Sequence, residues 1–271
     1  MDSIPARLVR CEQEWSLTVQ SPFAEASYNY VAPAIRADGT AAVVKLGLPA
    51  RELRCEIDAL RLFDGRGSVR LLDADPEEGR LLLEHLKPGT PLSRLEDERH
   101  AIPIAVQVMR QLWRPVPPVH NFPSIAEWAA GLGKLRQRFS GGAGPLPVRL
   151  VEEAETLFSE LIPSITQPVL LHGDLHPGNI LAAERQPWLA VDPKGVVGEP
   201  ACEVWPLLAS PGKPLERLVD QLADELSLDR KRIRDWGLAQ GVLAAWWCIE
   251  DDGHGWEWAI SCAEALSGIK L

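Results

Sequence analysis

Short apolar runs separated by turn residues make up the first third of the chain. Two of these runs, within residues 22–46, flank an Asp-Gly dipeptide at 38–39, which is a strong signal for a β-hairpin. Two later runs, at 69–72 and 81–86, predict two more strands. Between the two pairs, apolar side chains recur at helical spacing over residues 49–65, so we expect one helix there.

Helical periodicity dominates after this point. It predicts helices over residues 103–113 and 149–161. Ser124 and Glu127 have the spacing of a capping box, and the apolar positions from 125 to 139 then step by three and four. That spacing predicts one apolar stripe packed against a core.

The segment 169–200 follows neither pattern. Its two apolar runs, 169–171 and 188–191, are predicted to be buried strands, with a turn near 184–187 before the second run, which ends on Asp192. Four polar residues follow the first run within eight positions: His172, Asp174, His176 and Asn179.

The spacing of these polar residues suits phosphoryl transfer. Asp174 lies five positions before Asn179, on a stretch that Pro177 and Gly178 keep out of a helix. A carboxylate at 174 could accept a hydroxyl proton, and the oxygens of Asn179 and Asp192 could share a hard cation such as Mg²⁺. One base with two oxygen ligands for a nucleotide-bound Mg²⁺ is the minimum set for that reaction. The alternative is a loop whose polar residues only cap helices and satisfy backbone groups.

The motif around these residues resembles a known family. His-Gly-Asp-Leu-His-Pro-Gly-Asn at 172–179 has the His, Asp and Asn offsets of the protein-kinase catalytic loop. With Val-Asp-Pro-Lys-Gly at 191–195 and Gly-Glu-Pro at 198–200, it resembles the aminoglycoside phosphotransferase family of kinase-like enzymes, in the branch of streptomycin 6-phosphotransferases and hydroxyurea phosphotransferases. The resemblance implies an α+β, bilobal protein-kinase-like fold, with a small β-rich N-lobe (1–86) and a larger, mainly helical C-lobe (87–271). It also implies ATP and Mg²⁺ as cofactors.

The resemblance also implies a role for each matching residue. The expected catalytic residue is Asp174, and the expected metal ligands are Asn179 and Asp192. The expected nucleotide-site residues are Lys45, its partner Glu56, Ser27, and the hinge residues Glu84 and Leu86. In the resembled fold, backbone groups of this hinge meet the nucleotide base. The expected structural residues near the site are His172, His176 and Glu203. Glu52, one turn from Glu56, is a rival partner for Lys45. The stretch 21–27 contains no glycine, so the chain lacks a glycine-rich phosphate loop.

Composition narrows the class of partner. The net charge of −10 disfavours nucleic acid and suits a small cationic molecule, although solubility is the simpler reason for such a charge. No apolar run is long enough to span a membrane, and the start of the chain has no apolar leader, so we expect a cytoplasmic protein without a membrane partner. Five widely spaced cysteines suit reduced thiols. We expect a monomer or a weak homodimer.

A cluster of aromatic and acidic residues near the end of the chain is the candidate acceptor site. Aromatic faces beside carboxylates suit a molecule with amino or guanidinium groups. The candidate substrate residues are Trp247, Glu250, Asp251 and Asp252. The alternative is that the late tryptophans fill a core while the acids lie on a helix end and a solvated loop.

Together, these features favour an ATP- and Mg²⁺-dependent O-phosphotransferase that inactivates an aminoglycoside such as streptomycin. One alternative is a kinase of another hydroxylated metabolite, such as a choline-, sugar- or homoserine-like molecule. A second is a nucleotide-binding pseudokinase without turnover, and a third is a non-catalytic α/β binding protein that binds no ATP. The sequence leaves the choice between ATP and GTP open.

Overall fold

A computed structural model describes residues 3–24, 29–95, 100–209 and 214–270. The chain divides into two compact units, each made from two stretches of sequence. The first contains Met1–Glu96 and Gly178–Gly195, and the second contains Asp97–Pro177 and Val196–Leu271. The boundary expected between an N-lobe (1–86) and a C-lobe (87–271) stays a prediction.

The first unit contains helices and most of the strands. Helices and strands are numbered in order along the whole chain, so the numbers within one unit are not consecutive. Its helices are α1 (Ile4–Glu14) and α2 (Arg51–Phe63). Its strands are β1 (Leu17–Val19), β2 (Tyr30–Arg36), β3 (Ala41–Leu46), β4 (Leu71–Asp75), β5 (Arg80–Glu84), β6 (Pro88–Pro91), β9 (Ile180–Ala183) and β10 (Trp188–Ala190).

Strands β1 to β5 form one antiparallel sheet in the order β1-β2-β3-β5-β4. The predicted hairpin is β2–β3, in which Ala32 lies opposite Val44. Asp38 stabilises the turn by accepting hydrogen bonds from the backbone N–H and the hydroxyl of Thr40, at 2.9 and 2.6 Å. Gly39 has a φ of 83°, a conformation that glycine adopts without strain. The hairpin prediction is confirmed.

Both faces of this sheet are covered. Val43 of β3 belongs to one apolar cluster with Leu53 and Ile57 of α2, whereas its neighbour Val44 belongs to another with Cys11 of α1. Because side chains alternate between faces along a strand, the near-continuous apolar run of β3 is buried on both sides. The apolar spacing predicted α2 but not α1, so the second covering helix is a finding of the structure.

Strands β10, β9 and β6 form a second sheet in the first unit. Ile180 and Ala190 are partners in the antiparallel β9–β10 pair. The N–H of Val69 donates to the carbonyl oxygen of Ala190 at 2.8 Å, and Leu189 belongs to the same apolar cluster as α2. The turn predicted near residues 184–187 and the strand predicted after it are confirmed.

The second unit is mainly helical. Its helices are α3 (Ala101–Leu112), α4 (Ile125–Ala129), α5 (Gly131–Arg138), α6 (Val148–Leu161), α7 (Trp205–Leu208), α8 (Leu215–Leu226), α9 (Arg230–Asp251) and α10 (Glu257–Ser267). Its strands are β7 (Arg114–Pro115), β8 (Val169–Leu171) and β11 (Val196–Gly198), in the sheet order β11-β8-β7. Helix α9 lies at the centre and packs against α5, α6, α8 and α10.

Small residues let neighbours approach α9 closely. A methyl group at Gly241 would lie 2.9 Å from the ring of Trp205, and one at Gly237 would lie 2.6 Å from Leu208. The late tryptophans that fill the core of this unit are Trp205, Trp236 and Trp246. Within the described part of the chain, neither α9 nor any other helix has the length and apolar character needed to cross a membrane.

The apolar stripe predicted over residues 125–139 is shared by two helices instead of one. Ser124 caps α4, because its hydroxyl accepts from the N–H of Glu127 at 3.2 Å while the Glu127 carboxylate accepts from the N–H of Ser124 at 2.8 Å. The capping box is therefore confirmed. Gly131 has low helix propensity and lies where α5 begins, which accounts for the break. The buried members of the stripe are Ile125, Leu132 and Leu135.

Candidate active site

Hairpin β9–β10 places the two expected metal ligands at the same end of the strand pair. Its register joins Ile180 to Ala190, and one residue further out the N–H of Val191 donates to the carbonyl oxygen of Asn179 at 2.9 Å. Asn179 therefore lies beside the residue that precedes Asp192. Asp192 has a φ of 64°, which is uncommon for a residue other than glycine and costs about 1–3 kcal/mol. Backbone strain of this kind concentrates at functional sites.

Asn179 and Asp192 supply the donor atoms that suit magnesium. An amide oxygen and a carboxylate are hard ligands, and Mg²⁺ commonly keeps waters and substrate phosphates in its other positions. Among the residues that the structure describes, no group of three or more His, Cys, Asp or Glu side chains could hold a metal ion. Two protein oxygens, from Asn179 and Asp192, would leave the other positions of such a cation to waters and phosphate oxygens.

Lys45 joins two carboxylates inside the first unit. It lies on β3 with 5% of its surface exposed, and its Nζ donates to both carboxylate oxygens of Glu56 at 2.7 Å. The same ammonium contacts the carboxylate of Asp192. Burial by itself would lower the pKa of Lys45, but the charges of Glu56 and Asp192 outweigh burial and raise that pKa. Lys45 therefore stays cationic beside an expected metal ligand.

Glu56 shares this ammonium and has a raised pKa. Burial is the main cause, Lys45 opposes it, and the negative charge of Asp192 adds to it, so that the pKa of Glu56 rises from 4.5 to about 7. The cluster contains two carboxylates and one ammonium. An additional positive charge is therefore electrostatically favoured beside it.

Glu52, the rival acid on α2, has a different partner. Its carboxylate accepts a hydrogen bond from Nζ of Lys194 at 2.6 Å, and its side chain is 69% exposed. Glu56, one turn later, is buried and binds Lys45. Of the two acids, the structure places Glu56 with Lys45.

The expected hinge residues lie at and just after the end of β5. The Glu84 carboxylate accepts two hydrogen bonds from Arg185, both at 2.9 Å, and one from the N–H of Arg70 at 3.1 Å. The Leu86 side chain is buried in the apolar cluster that includes α2. Because both side chains pack within the protein, a nucleotide contact here would use backbone groups. Ser27, the other expected nucleotide contact, lies outside the described residues.

In the second unit, a buried histidine and a buried glutamate fix the loop after β8. Nδ1 of His172 accepts a hydrogen bond from the N–H of Asp174 at 3.2 Å. Glu203 accepts from the N–H groups of His172 and Gly173, at 2.7 and 2.8 Å. The N–H of His176 donates to the carbonyl oxygen of Asp174 at 3.0 Å. Together these bonds set the backbone position of Asp174.

Glu203 lies in the 3-10 helix Pro200–Val204 and is 1% exposed. Burial raises its pKa from 4.5 to about 7, and the charge of Asp174 acts in the same direction, while the hydrogen bonds from Gly173 and His172 oppose the rise. The groups that favour the ionised carboxylate are thus backbone N–H groups. In its ionised form, Glu203 can accept both bonds at once.

The candidate acceptor site, formed by Trp247, Glu250, Asp251 and Asp252, lies at the C-terminal end of α9. Trp247 packs edge-on against Trp128 of α4, with ring centroids 5.4 Å apart, and Glu250 lies 3.6 Å from Nζ of Lys134. All three acids, Glu250, Asp251 and Asp252, are exposed. The last turn of α9 contains no basic residue, and a helix C-terminus carries partial negative charge. This end of α9 therefore favours cations.

The sequence pattern did not single out two basic side chains in the first unit. Arg185 lies in the turn between β9 and β10 and binds Glu84. Lys194 follows Asp192 by two positions and pairs with Glu52. A lone arginine in a turn has no distinguishing spacing, so nothing in the pattern marks Arg185. For Lys194, its position inside the motif at 191–195 could have indicated that it lies near the site.

Comparison with known proteins gives a family match and a fold match. A family model described as aminoglycoside/hydroxyurea antibiotic resistance kinase matches residues 14–253. The chain is 34% identical to the streptomycin 6-kinase of Streptomyces glaucescens, over 98% of this chain and 90% of that protein. It is 35% identical to the hydroxyurea phosphotransferase of Kitasatospora aureofaciens, over 99% and 80%. The crystal structure of aminoglycoside phosphotransferase APH(4)-Ia matches with a TM-score of 0.70 at 14% identity, over 98% of this chain and 100% of that one. The predicted kinase-like α+β fold is confirmed.

Proposed function

The chain belongs to the aminoglycoside/hydroxyurea antibiotic resistance kinase family, and on that premise we propose that it transfers a phosphoryl group from Mg²⁺-bound ATP to a hydroxyl group of streptomycin. Family membership establishes the class of the enzyme, a phosphotransferase. The nucleotide, the metal and the acceptor are the content of the proposal.

The observation that supports this proposal is a charged cluster, in which the buried ammonium of Lys45 contacts both the buried carboxylate of Glu56 and the partly exposed carboxylate of Asp192. A buried ammonium is costly unless it is paired, and here two carboxylates keep it charged. Lys45 can thus attract nucleotide phosphates, while the oxygens of Asn179 and Asp192 would hold the cation that accompanies them. When bound, Mg²⁺ would neutralise charge on the phosphate oxygens during transfer.

Asp174 is the proposed catalytic residue. Its carboxylate would orient the acceptor hydroxyl and accept the hydroxyl proton late, because the transition state of phosphoryl transfer is largely dissociative. Positioning therefore matters more than basicity. His172 and Glu203 act indirectly, through the hydrogen bonds that hold the backbone next to Asp174.

The acidic end of α9 supports a cationic acceptor. Exposed carboxylates at a helix C-terminus attract guanidinium and amino groups, and Trp247 adds an aromatic face beside them. The net charge of −10 would also steer a cation towards the protein. We assign the acceptor contacts to this end of α9, through Trp247, Glu250, Asp251 and Asp252.

Hydroxyurea is a second candidate acceptor, because the chain is 35% identical to a hydroxyurea phosphotransferase. Hydroxyurea is small and uncharged, so it would not use the carboxylates at the end of α9. Replacing the three acids by their amides should raise the KM for streptomycin about tenfold or more, since exposed ion pairs contribute up to about 1 kcal/mol each. The KM for hydroxyurea should stay unchanged.

The test is coupled ADP release with Mg-ATP against streptomycin, other aminoglycosides, hydroxyurea and simple amino alcohols, repeated with GTP. We expect turnover with streptomycin, and a loss in kcat on the order of 10²- to 10⁴-fold in Asp174→Asn with nucleotide binding retained. Wild-type turnover in that variant would contradict the role of Asp174. Nucleotide binding without turnover on any acceptor would favour a pseudokinase or a kinase of another metabolite. No nucleotide binding would favour a non-catalytic binding protein.

A further inference from the structure

Arg185, in the turn between β9 and β10, donates four hydrogen bonds inside the first unit. Nε and Nη2 bind the two carboxylate oxygens of Glu84, each at 2.9 Å. Nη1 donates to the carbonyl oxygen of Gly65 at 2.8 Å, and Nη2 also donates to that of Ser68 at 3.0 Å. The side chains of Arg185 and Glu84 are 22% and 20% exposed, so this ion pair lies mostly out of water.

The four bonds connect three segments that the proposed nucleotide site uses. Arg185 lies on the hairpin that carries the two expected metal ligands. Glu84 is the last residue of β5, where the stretch expected to meet the nucleotide base begins. Gly65 and Ser68 lie between β4 and α2, the helix that carries Glu56. One guanidinium thus links the metal-ligand hairpin, the hinge and the end of α2.

The chemistry of this connection requires an arginine. The Glu84 carboxylate also accepts the N–H of Arg70, and although burial raises its pKa, the bonds from Arg185 and Arg70 lower the pKa overall. Glu84 is therefore held as a carboxylate that faces a fixed donor. A planar guanidinium can reach two carboxylate oxygens and two carbonyl oxygens at once. A lysine ammonium is a point donor that cannot span them.

We propose that Arg185 is a positioning residue for the nucleotide. It holds the end of β5 against the β9–β10 hairpin and so sets the spacing between the backbone that meets the base and the oxygens that meet the phosphate-bound cation. A nucleotide must satisfy both groups at once, so a looser connection weakens nucleotide binding more than it affects the acceptor. The inference rests on the proposed function, because it requires Mg-ATP to bind to the first unit.

A second arginine–glutamate pair in the same unit provides a matched control. Arg54 donates to both carboxylate oxygens of Glu77, each at 2.9 Å, but these side chains are 40% and 77% exposed. Exposed pairs of this kind contribute little to stability. Arg54→Lys therefore disturbs the same carboxylate geometry as Arg185→Lys while it leaves the link between the hairpin and β5 in place.

The test is calorimetric measurement of the Kd for Mg-ATP in the full chain, at a temperature where each variant is folded, together with the KM for ATP and for streptomycin. We expect Arg185→Lys and Arg185→Ala to raise the Kd and KM for Mg-ATP on the order of 10-fold, with the KM for streptomycin unchanged. Arg54→Lys should change none of these constants. If Arg185→Ala does not fold, Arg185→Lys, which keeps the charge, carries the test.

The outcomes separate this inference from the proposed function. If the wild type binds no Mg-ATP, the proposed function fails and the role of Arg185 fails with it. If the wild type binds Mg-ATP and Arg185→Lys binds it equally well, only the role of Arg185 is overturned. Equal rises in the KM for ATP and for streptomycin would also overturn it, because they would indicate a general loosening of the fold.

Discussion

Glu56 in the first unit and Glu203 in the second are both almost completely buried. Each has a pKa raised to about 7, yet their hydrogen-bond partners differ. Glu56 is held by the ammonium of Lys45, which also serves a second carboxylate. Glu203 is held by the backbone N–H groups of His172 and Gly173. Burial has the same effect on both carboxylates, so the difference between them lies in the partner.

The difference in partners indicates an electrostatic role for Glu56 and an architectural role for Glu203. An ammonium shared by two carboxylates can exchange partners when a charged ligand binds, without a change in the backbone. Backbone N–H groups belong to the loop itself, so their acceptor fixes the shape of that loop. We therefore expect loss of Glu203 to reduce stability and turnover, and loss of Glu56 to reduce nucleotide affinity.

The largest effect on stability is expected for Glu203→Ala. Hydrogen bonds to a charged group contribute about 1.5–3 kcal/mol each, and this substitution removes two and leaves buried N–H groups without their acceptor. We expect a loss of about 3–5 kcal/mol in urea unfolding. In the folded variant, kcat should fall while the Kd for Mg-ATP changes little. A Kd that rises more than kcat falls would contradict the architectural role.

The second-largest expected effect is a change of about 3 kcal/mol in the free energy of unfolding with pH, caused by Glu203. The pKa of Glu203 is about 7 in the folded protein against an ordinary value of 4.5. Between these values the folded protein holds a proton that the unfolded chain has released, so rising pH favours unfolding. The contribution is complete below about pH 4.5 and is lost as the pH rises through about 7.

Glu203→Gln isolates this contribution, because the amide does not titrate and the titration of Glu56 is common to both proteins. Urea unfolding across this pH range should show that the free energy of unfolding of the wild type, minus that of Glu203→Gln, decreases with pH. A difference that is flat or that rises with pH would show that the pKa of Glu203 is not raised.

Glu56→Gln should change nucleotide binding more than stability. Lys45 keeps Asp192 as a partner, so its charge is not left alone in the interior. The cost should be about 1–2 kcal/mol, below the 3–5 kcal/mol typical of breaking a buried pair. The Kd for Mg-ATP should rise about tenfold in calorimetry, because Lys45 is no longer oriented by α2. A loss of stability larger than that of Glu203→Ala would reverse the comparison.

Glu52→Gln should give the smallest effect. This acid is exposed and pairs with Lys194 at the surface, so its removal should change the free energy of unfolding by less than about 1 kcal/mol. It removes the same charge from the same helix as Glu56→Gln and therefore serves as its control. A rise in the Kd for Mg-ATP equal to that of Glu56→Gln would assign the effect to the net charge of α2 rather than to the buried pair.

The sequence predicted features whose partners are close along the chain. Asp38 lies within its own turn, and Ser124 and Glu127 cap the same helix. Asn179 and Asp192 are brought together by one hairpin, whose turn residues mark it in the sequence. Local conformation decides all of these features, so residue type and spacing were sufficient to predict them.

Contacts between distant segments were not predictable in the same way. Helix α1 covers the sheet through Cys11, a contact that the local spacing of apolar residues does not predict. Arg185 and Glu84 are 101 positions apart, and such a contact leaves no periodic trace in the sequence. The role expected for Glu203 came from the family resemblance, since its bond to Gly173 spans 30 positions. Tertiary folding, rather than local propensity, forms these contacts.

The most direct test of the central claim is the mass spectrum of streptomycin after incubation with Mg-ATP and the enzyme. With the wild type, streptomycin should gain the mass of one phosphoryl group, and with Asp174→Asn it should stay unmodified over the same time. If the wild type binds Mg-ATP but streptomycin keeps its original mass, the proposed transfer to streptomycin is wrong.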